Sequence, residues 1–206
     1  MTIVARSIAV LLLASGAAQA GGPTTVPDDP APTPAAAAPS AYDWSGPYVG
    51  LAFGTTGGDQ TFNTSPLTFP FDDGASPSIF AGYLIQRGNL VYGAELAYSD
   101  GDDVTLATFS EGLRYMVDLK GRLGFANDRA LFYGTLGYSS VGYVSLPGNT
   151  ETDGFAYGLG VDYAVSDRFT LGLEYLARST EGDTFNAGET RRLELDTLSL
   201  RIGLSF

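Results

Sequence analysis

From Gly46 to Phe206 the chain is written in a period of two. In the last segment Leu198, Leu200, Ile202, Leu204 and Phe206 share one parity, and Thr197, Ser199, Arg201, Gly203 and Ser205 share the other. Successive side chains of a strand point to opposite faces, so this spacing predicts a strand with one bulky apolar face and one small or polar face. Phe155, Tyr157, Leu159, Val161 and Tyr163 alternate in the same way with Ala156, Gly158, Gly160, Asp162 and Ala164. Val117, Leu119, Leu123 and Phe125 oppose Asp118, Lys120, Arg122 and Gly124, while Phe169, Leu171, Leu173 and Tyr175 oppose Thr170, Gly172 and Glu174. Turn signals divide the region into eight segments: Gly46–Gly54, Pro77–Leu84, Leu90–Tyr98, Leu113–Ala126, Ala130–Val144, Gly154–Ala164, Phe169–Ser179 and Arg191–Phe206. In the first, second and fifth of these the pattern does not fix a parity.

The polar face decides which side is inside. A soluble barrel or sandwich turns its apolar face to the core and its polar face to water. Here the polar face is mostly Gly, Ala, Ser and Thr with single charges among them, which suits a crowded lumen better than a wetted surface. The apolar face is bulky and ends in aromatics, as a lipid-facing band does. In the last segment that band covers about nine residues, near the ~9–11 of a tilted transmembrane strand. The expected fold is therefore all-β: an eight-stranded antiparallel up-and-down transmembrane β-barrel in a bacterial outer membrane. A secreted soluble barrel holding an apolar ligand is the rival, and it requires the reverse assignment of faces.

Connection lengths point to the same arrangement. The links after segments two, four and six are short: Gln86–Asn89, Asn127–Arg129 and Ser166–Arg168. The other links are longer, led by Thr55–Ser76. Short periplasmic turns and long outer loops are the outer-membrane pattern. Tyr83, Phe125, Phe132, Tyr163, Phe169 and Phe206 then fall near the periplasmic end as an aromatic girdle.

Parity also places charges. Glu95, Asp118, Lys120, Arg122, Asp162, Glu174 and Arg201 are expected to point into the lumen, four acids against three bases. An eight-stranded barrel is just wide enough to be filled by side chains. Buried charges there must pair, so a salt-bridge plug around Lys120, Arg122 and Arg201 is expected, with a narrow porin-like channel as the alternative. Arg114, Arg178, Arg191 and Arg192 are read as lying near the outer strand ends, free to pair with Glu194 and Asp196 or to meet lipid phosphates.

At Trp44-Ser45-Gly46-Pro47-Tyr48-Val49-Gly50 and at the closing Leu204-Ser205-Phe206 the chain resembles the small outer-membrane β-barrel family that includes OmpA-type and opacity-type surface proteins. The resemblance covers roughly Tyr42 to Phe206. Pro47 stands where many relatives carry an aromatic. The resemblance implies that Phe206 and its strand serve as the signal read by the barrel-assembly machinery.

The segment ahead of the barrel reads as two parts. Residues 1–20 fit a secretory signal peptide: a basic start ending at Arg6, an apolar core from Ile8 to Leu13, and Ala18-Gln19-Ala20 before the cut. Residues 21–43 are Pro/Ala-rich and too poor in apolar side chains to offset their ordering entropy, so a disordered periplasmic linker is expected. The barrel domain is expected over 44–206.

Several functions are excluded by composition. The net charge is −12, which argues against nucleic acid. With no Cys and no His, a Ser–His or Cys–His nucleophile cannot be built, and no enzyme is expected. Gly158-Leu159-Gly160 continues as a strand rather than opening a helix, so it is no phosphate loop. Ser99-Asp100-Gly101-Asp102-Asp103 lacks the spacing of a calcium loop. No cofactor or metal is expected. The expected outer loops carry many acids and no Lys or Arg. Expected partners are outer-membrane lipids, lipopolysaccharide and an extracellular partner reached through those loops. The role expected is structural or at the surface: envelope integrity, lipopolysaccharide contact or adhesion.

Overall fold

A transmembrane strand has no water to satisfy its backbone, so a sheet of such strands must close on itself. The computed structural model, which describes residues 42–106, 111–145 and 148–206, shows that closure. Its strands are β1 (Gly46–Phe62), β2 (Ser65–Arg87), β3 (Leu90–Asp100), β4 (Gly112–Asn127), β5 (Ala130–Ser145), β6 (Gly148–Ala164), β7 (Phe169–Asp183) and β8 (Thr190–Ser205). Each pairs antiparallel with its sequence neighbours, and β1 pairs with β8 from Tyr48↔Ser205 to Phe62↔Arg191. The expected signal peptide and the expected linker up to residue 41 lie outside the described residues. Tyr42, at the linker's end, is buried and sets its ring against Trp44 at 4.8 Å.

The undecided parities are settled by packing. In β1 Tyr48 and Ala52 turn inward, while Val49, Leu51 and Phe53 face out. In β2 Phe80 and Leu84 are buried against exposed Ile79 and Tyr83, and in β5 Leu131, Tyr133 and Thr135 against exposed Phe132 and Leu136. Outward apolar residues at mid-strand are largely exposed, Leu200 at 67% and Phe155 at 69%. A core this small cannot leave such side chains in water; lipid is the solvent that accepts them.

The strands run further than their apolar bands. Thr55–Ser76, expected as a loop, is mostly a hairpin in which β1 continues to Phe62 and β2 starts at Ser65. The expected loops at Ser145–Asp153 and Thr180–Thr190 are likewise shortened by β6 and β7. Beyond the lipid there is no requirement for an apolar outer face, so the period-two signature fades while the backbone ladder persists. The faces in fact exchange polarity. On β8 the outward side chains above Leu198 are Asp196, Glu194 and Arg192, and the inward ones are Leu195, Leu193 and Arg191. The outer part of the barrel therefore has an apolar core of its own, built from Phe71, Val104, Leu113, Met116, Val141 and Leu193 with their neighbours.

Candidate functional site

The lumen is where charge has been placed at a cost. Strand parity delivers Glu95 from β3, Asp118, Lys120 and Arg122 from β4, Asp162 from β6, Glu174 from β7 and Arg201 from β8 to the lumen, all buried. Lys120 Nζ lies 2.7 Å from Glu174 Oε1 and 3.0 Å from Glu95 Oε1. Arg201 holds the same two acids, with Nη1 3.0 Å from Glu174 Oε1 and Nη2 2.5 Å from Glu95 Oε2. Arg122 Nη2 donates to Asp162 Oδ2 at 2.6 Å, and its Nη1 reaches Glu95 Oε2 at 3.2 Å. Two tyrosines complete the network. Tyr48 Oη donates to Glu95 at 2.8 Å and accepts from Arg122 at 3.1 Å, and Tyr133 Oη donates to Glu174 at 3.1 Å. The Arg122 guanidinium lies 3.7 Å from the Tyr133 ring centre, and that of Arg201 lies 3.9 Å from Phe80, geometries in which a cation gains from the ring face.

Asp118 stands apart from Lys120, Arg122 and Arg201. Its partner is Arg178, which the sequence reading left among the arginines near the outer strand ends. Arg178 Nε and Nη2 donate to the two Asp118 oxygens at 2.9 and 2.7 Å, and Nη1 donates to Thr197 at 2.7 Å. The expected imbalance of four acids and three bases is thereby corrected to four and four. Continuing the parity of Glu174 by two steps would have found Arg178. Tyr48, Tyr133 and Phe80 were missed because the first, second and fifth segments gave no parity.

Apolar layers bound this charged layer on both sides. Toward the short turns Trp44 packs with Leu84, Val91, Ala126, Leu131 and Ala164 across the mouth of the lumen. Trp44 N is held by Gln86 Oε1 at 2.8 Å and Tyr42 Oη by Ser205 at 3.3 Å. Toward the outside lies the apolar core already described. Between them lie two cavities of about 20 Å³ each, both lined by Phe80 and Arg201. Each has room for about one water.

Tyr83, Phe125, Phe132, Tyr163, Phe169 and Phe206 all point outward and are at least half exposed. They lie at the end that carries the turns at Gly88, Asp128 and Ser166–Arg168. At the opposite end Arg192 pairs with Glu181 at 2.7 Å, Arg191 turns inward onto Tyr143, and Glu194 and Asp196 accept from Ser179 and Tyr175. The expected pairing of the outer arginines with Glu194 and Asp196 is thus replaced by these partners. Alternation accounts for Arg191, which faces the opposite side of β8 from Glu194 and Asp196, while Arg192 takes Glu181 on the paired strand β7.

A closed ring of eight antiparallel strands, banded outside by lipid-facing side chains, defines an integral membrane β-barrel. A family model described as "Outer membrane protein beta-barrel domain" matches residues 31–206, and the chain belongs to that family, whose members sit in the bacterial outer membrane. It is 31% identical over 176 residues to a 22 kDa outer membrane protein of Rhizobium leguminosarum bv. viciae, covering 81% of this chain and 80% of the relative. It is 26% identical to a 25 kDa outer-membrane immunogenic protein of Brucella canis, covering 86% and 84%. Neisserial surface protein A shares the fold, with a TM-score of 0.52 at 17% identity over 79% of this chain and 98% of that one.

Proposed function

We propose that this protein is a non-conducting barrel with a structural and surface role, anchored by its lipid-facing band and working through the part that stands outside the membrane. The observation that carries this reading is the layered lumen: four acids and four bases, paired, between two apolar layers. Desolvating an ion costs several kcal/mol, about enough to stop a permeating ion unless polar groups line a continuous path, and the two apolar clusters interrupt the polar lining. Planar-bilayer recording of the purified protein tests this. No steady single-channel current is the expected result, and a reproducible unit conductance would establish the narrow channel instead.

The surface role is supported by the ordered outer hairpins. The β1–β2 turn is fastened to the β7–β8 loop: Asn63 Nδ2 donates to Gly188 O at 3.1 Å, and Thr64 Oγ1 to Glu189 Oε1 at 2.7 Å. A rigid, acidic tip of this kind can contact lipopolysaccharide or another surface. That the Brucella relative is immunogenic fits exposure at a cell surface. Trimming the outer hairpins and scoring envelope stress and cell adhesion checks this part, and an unchanged phenotype would leave a purely structural role. In the same reading residues 1–20 direct export, the linker through residue 43 spaces the barrel from the periplasm, and Phe206, 74% exposed, is the mark taken by the assembly machinery.

A further inference from the structure

Just outside the lipid-facing band, the wall formed by β4, β5 and β6 holds a cleft of about 320 Å³ lined by Arg114, Tyr115, Gly142, Asn149, Thr150 and Glu151. Ligand sites begin at about this size. Four features show that it is shaped rather than accidental. The register of β4 on β5 slips between Leu113 and Tyr115, so that Leu113 is buried while Arg114 and Tyr115 both line the outer wall. A bulge is the means by which a strand re-aims one side chain. The Tyr115 ring lies across Gly142, where a Cβ would come within 2.6 Å of a ring carbon, so only glycine lets the ring lie against the strand. Tyr98 stands beside it with the two planes only 19° apart and centroids separated by 6.2 Å, which makes a flat aromatic surface. Finally, the Tyr115 hydroxyl donates to Glu151 Oε1 at 2.5 Å and so fixes that carboxylate at the edge of the cleft.

Of the four arginines toward the outer end, Arg114 is the one left over. Arg178 is bound to Asp118, Arg191 is covered by Tyr143, and Arg192 is paired with Glu181, whereas Arg114 is exposed and makes no ion pair among the described residues. With Glu151 opposite, the cleft is neutral as a whole, which disfavours a bare phosphate or a carboxylate as occupant. Its chemistry is a guanidinium with several donors, a carboxylate acceptor, an amide offering both, and an aromatic face. Neighbouring hydroxyls take paired hydrogen bonds from planar groups of this kind, and the C–H face of a pyranose ring packs on an aromatic plane.

We propose that this cleft is a saccharide-binding site, with Tyr115 as the platform, Arg114 and Asn149 as donors and Glu151 as acceptor. The site rests on the surface reading given above and lies beside the outward Tyr98, an aromatic of the kind found at membrane interfaces. A sugar there could belong to a membrane glycolipid or to a free glycan.

The test is calorimetric titration of the full-length exported protein in detergent micelles with three probes. These are intact lipopolysaccharide, the lipid-free core oligosaccharide released from it, and inorganic phosphate. Saturable binding of the oligosaccharide, weakened about tenfold or more in both Arg114→Ala and Tyr115→Ala and unchanged in Glu194→Gln on the far wall, is expected from the loss of one charge-assisted contact. Mobility of unheated samples on gels verifies folding. Arg114 is exposed and touches no partner that the fold needs, so that variant keeps the test decisive if Tyr115→Ala fails to fold. Tighter binding of the intact glycolipid assigns the sugar to the membrane, and equal binding assigns it to a free glycan. Absence of saturable binding by both sugars, equal binding by Arg114→Ala, or displacement by phosphate would overturn the proposal. The surface role is judged separately by the hairpin trimming, so the two can fail independently.

Discussion

Arg178 and Asp118 meet across the lumen through two parallel hydrogen bonds, Nε to Oδ1 at 2.9 Å and Nη2 to Oδ2 at 2.7 Å, with both side chains almost fully buried. Removing one member leaves the other charged and unpaired. Arg178→Ala is expected to cost about 3–5 kcal/mol, and replacing both residues by leucine to recover most of that loss. Urea unfolding in lipid vesicles, followed by fluorescence of Trp44, the single tryptophan, reads the change. A single variant within about 1 kcal/mol of the parent would show that the pair does not hold the barrel together.

Gly82 is a position where a side chain has no room. A Cβ there would lie 2.5 Å from the Tyr48 hydroxyl and 2.5 Å from the Ala94 carbonyl oxygen. Gly82→Ala should push Tyr48 away from Glu95 and Arg122 and cost about 1–3 kcal/mol. Gly121, which faces outward with its nearest atom at 3.6 Å, is the control. Gly121→Ala should stay within about 0.5 kcal/mol in the same unfolding assay. Equal effects at both sites would contradict the packing described.

The assignment of faces makes its own prediction. Leu200 and Glu194 share the outward side of β8, one within the lipid band and one beyond it. Leu200→Arg should destabilise the barrel by about 2–4 kcal/mol in vesicles, and Glu194→Arg by much less, because only the first carries a charge into hydrocarbon. A soluble barrel would show little difference between the two.

The clasp at the outer tip should respond to acid. Hydrogen bonds from Thr64, Asn186 and Thr184 hold the Glu189 carboxyl below its usual range. A carboxyl with a depressed folded pKa contributes stability that is fully present above its unfolded pKa, about 4.3, and that is lost as pH falls through the folded value. Amide exchange at Asn63, Thr64 and residues 184–190, corrected for intrinsic rates, should therefore be constant from neutral pH down to about 5 and accelerate below about 4. Glu189→Ala should exchange fast throughout. Exchange in the parent that ignores pH would refute the role given to Glu189.

What the sequence determined by itself was the part governed by the bilayer. Lipid demands an apolar outward face and closed backbone pairing, and both leave a period-two trace, which is why Leu198–Leu204, Phe155–Tyr163 and the lumen charges Glu95, Lys120, Arg122, Glu174 and Arg201 were legible. Where that demand ends, the trace ends too. The length of the β1–β2 hairpin, the inward turn of Arg191 and the apolar outer core lay beyond it, because in water either face of a strand can be polar. The partners inside the lumen are also a tertiary result. Parity says that Glu95 and Arg201 point inward, but 106 residues separate them, and only the barrel's stagger brings them within 2.5 Å. The Arg114 cleft belongs to the same class, since a one-residue slip in register created it.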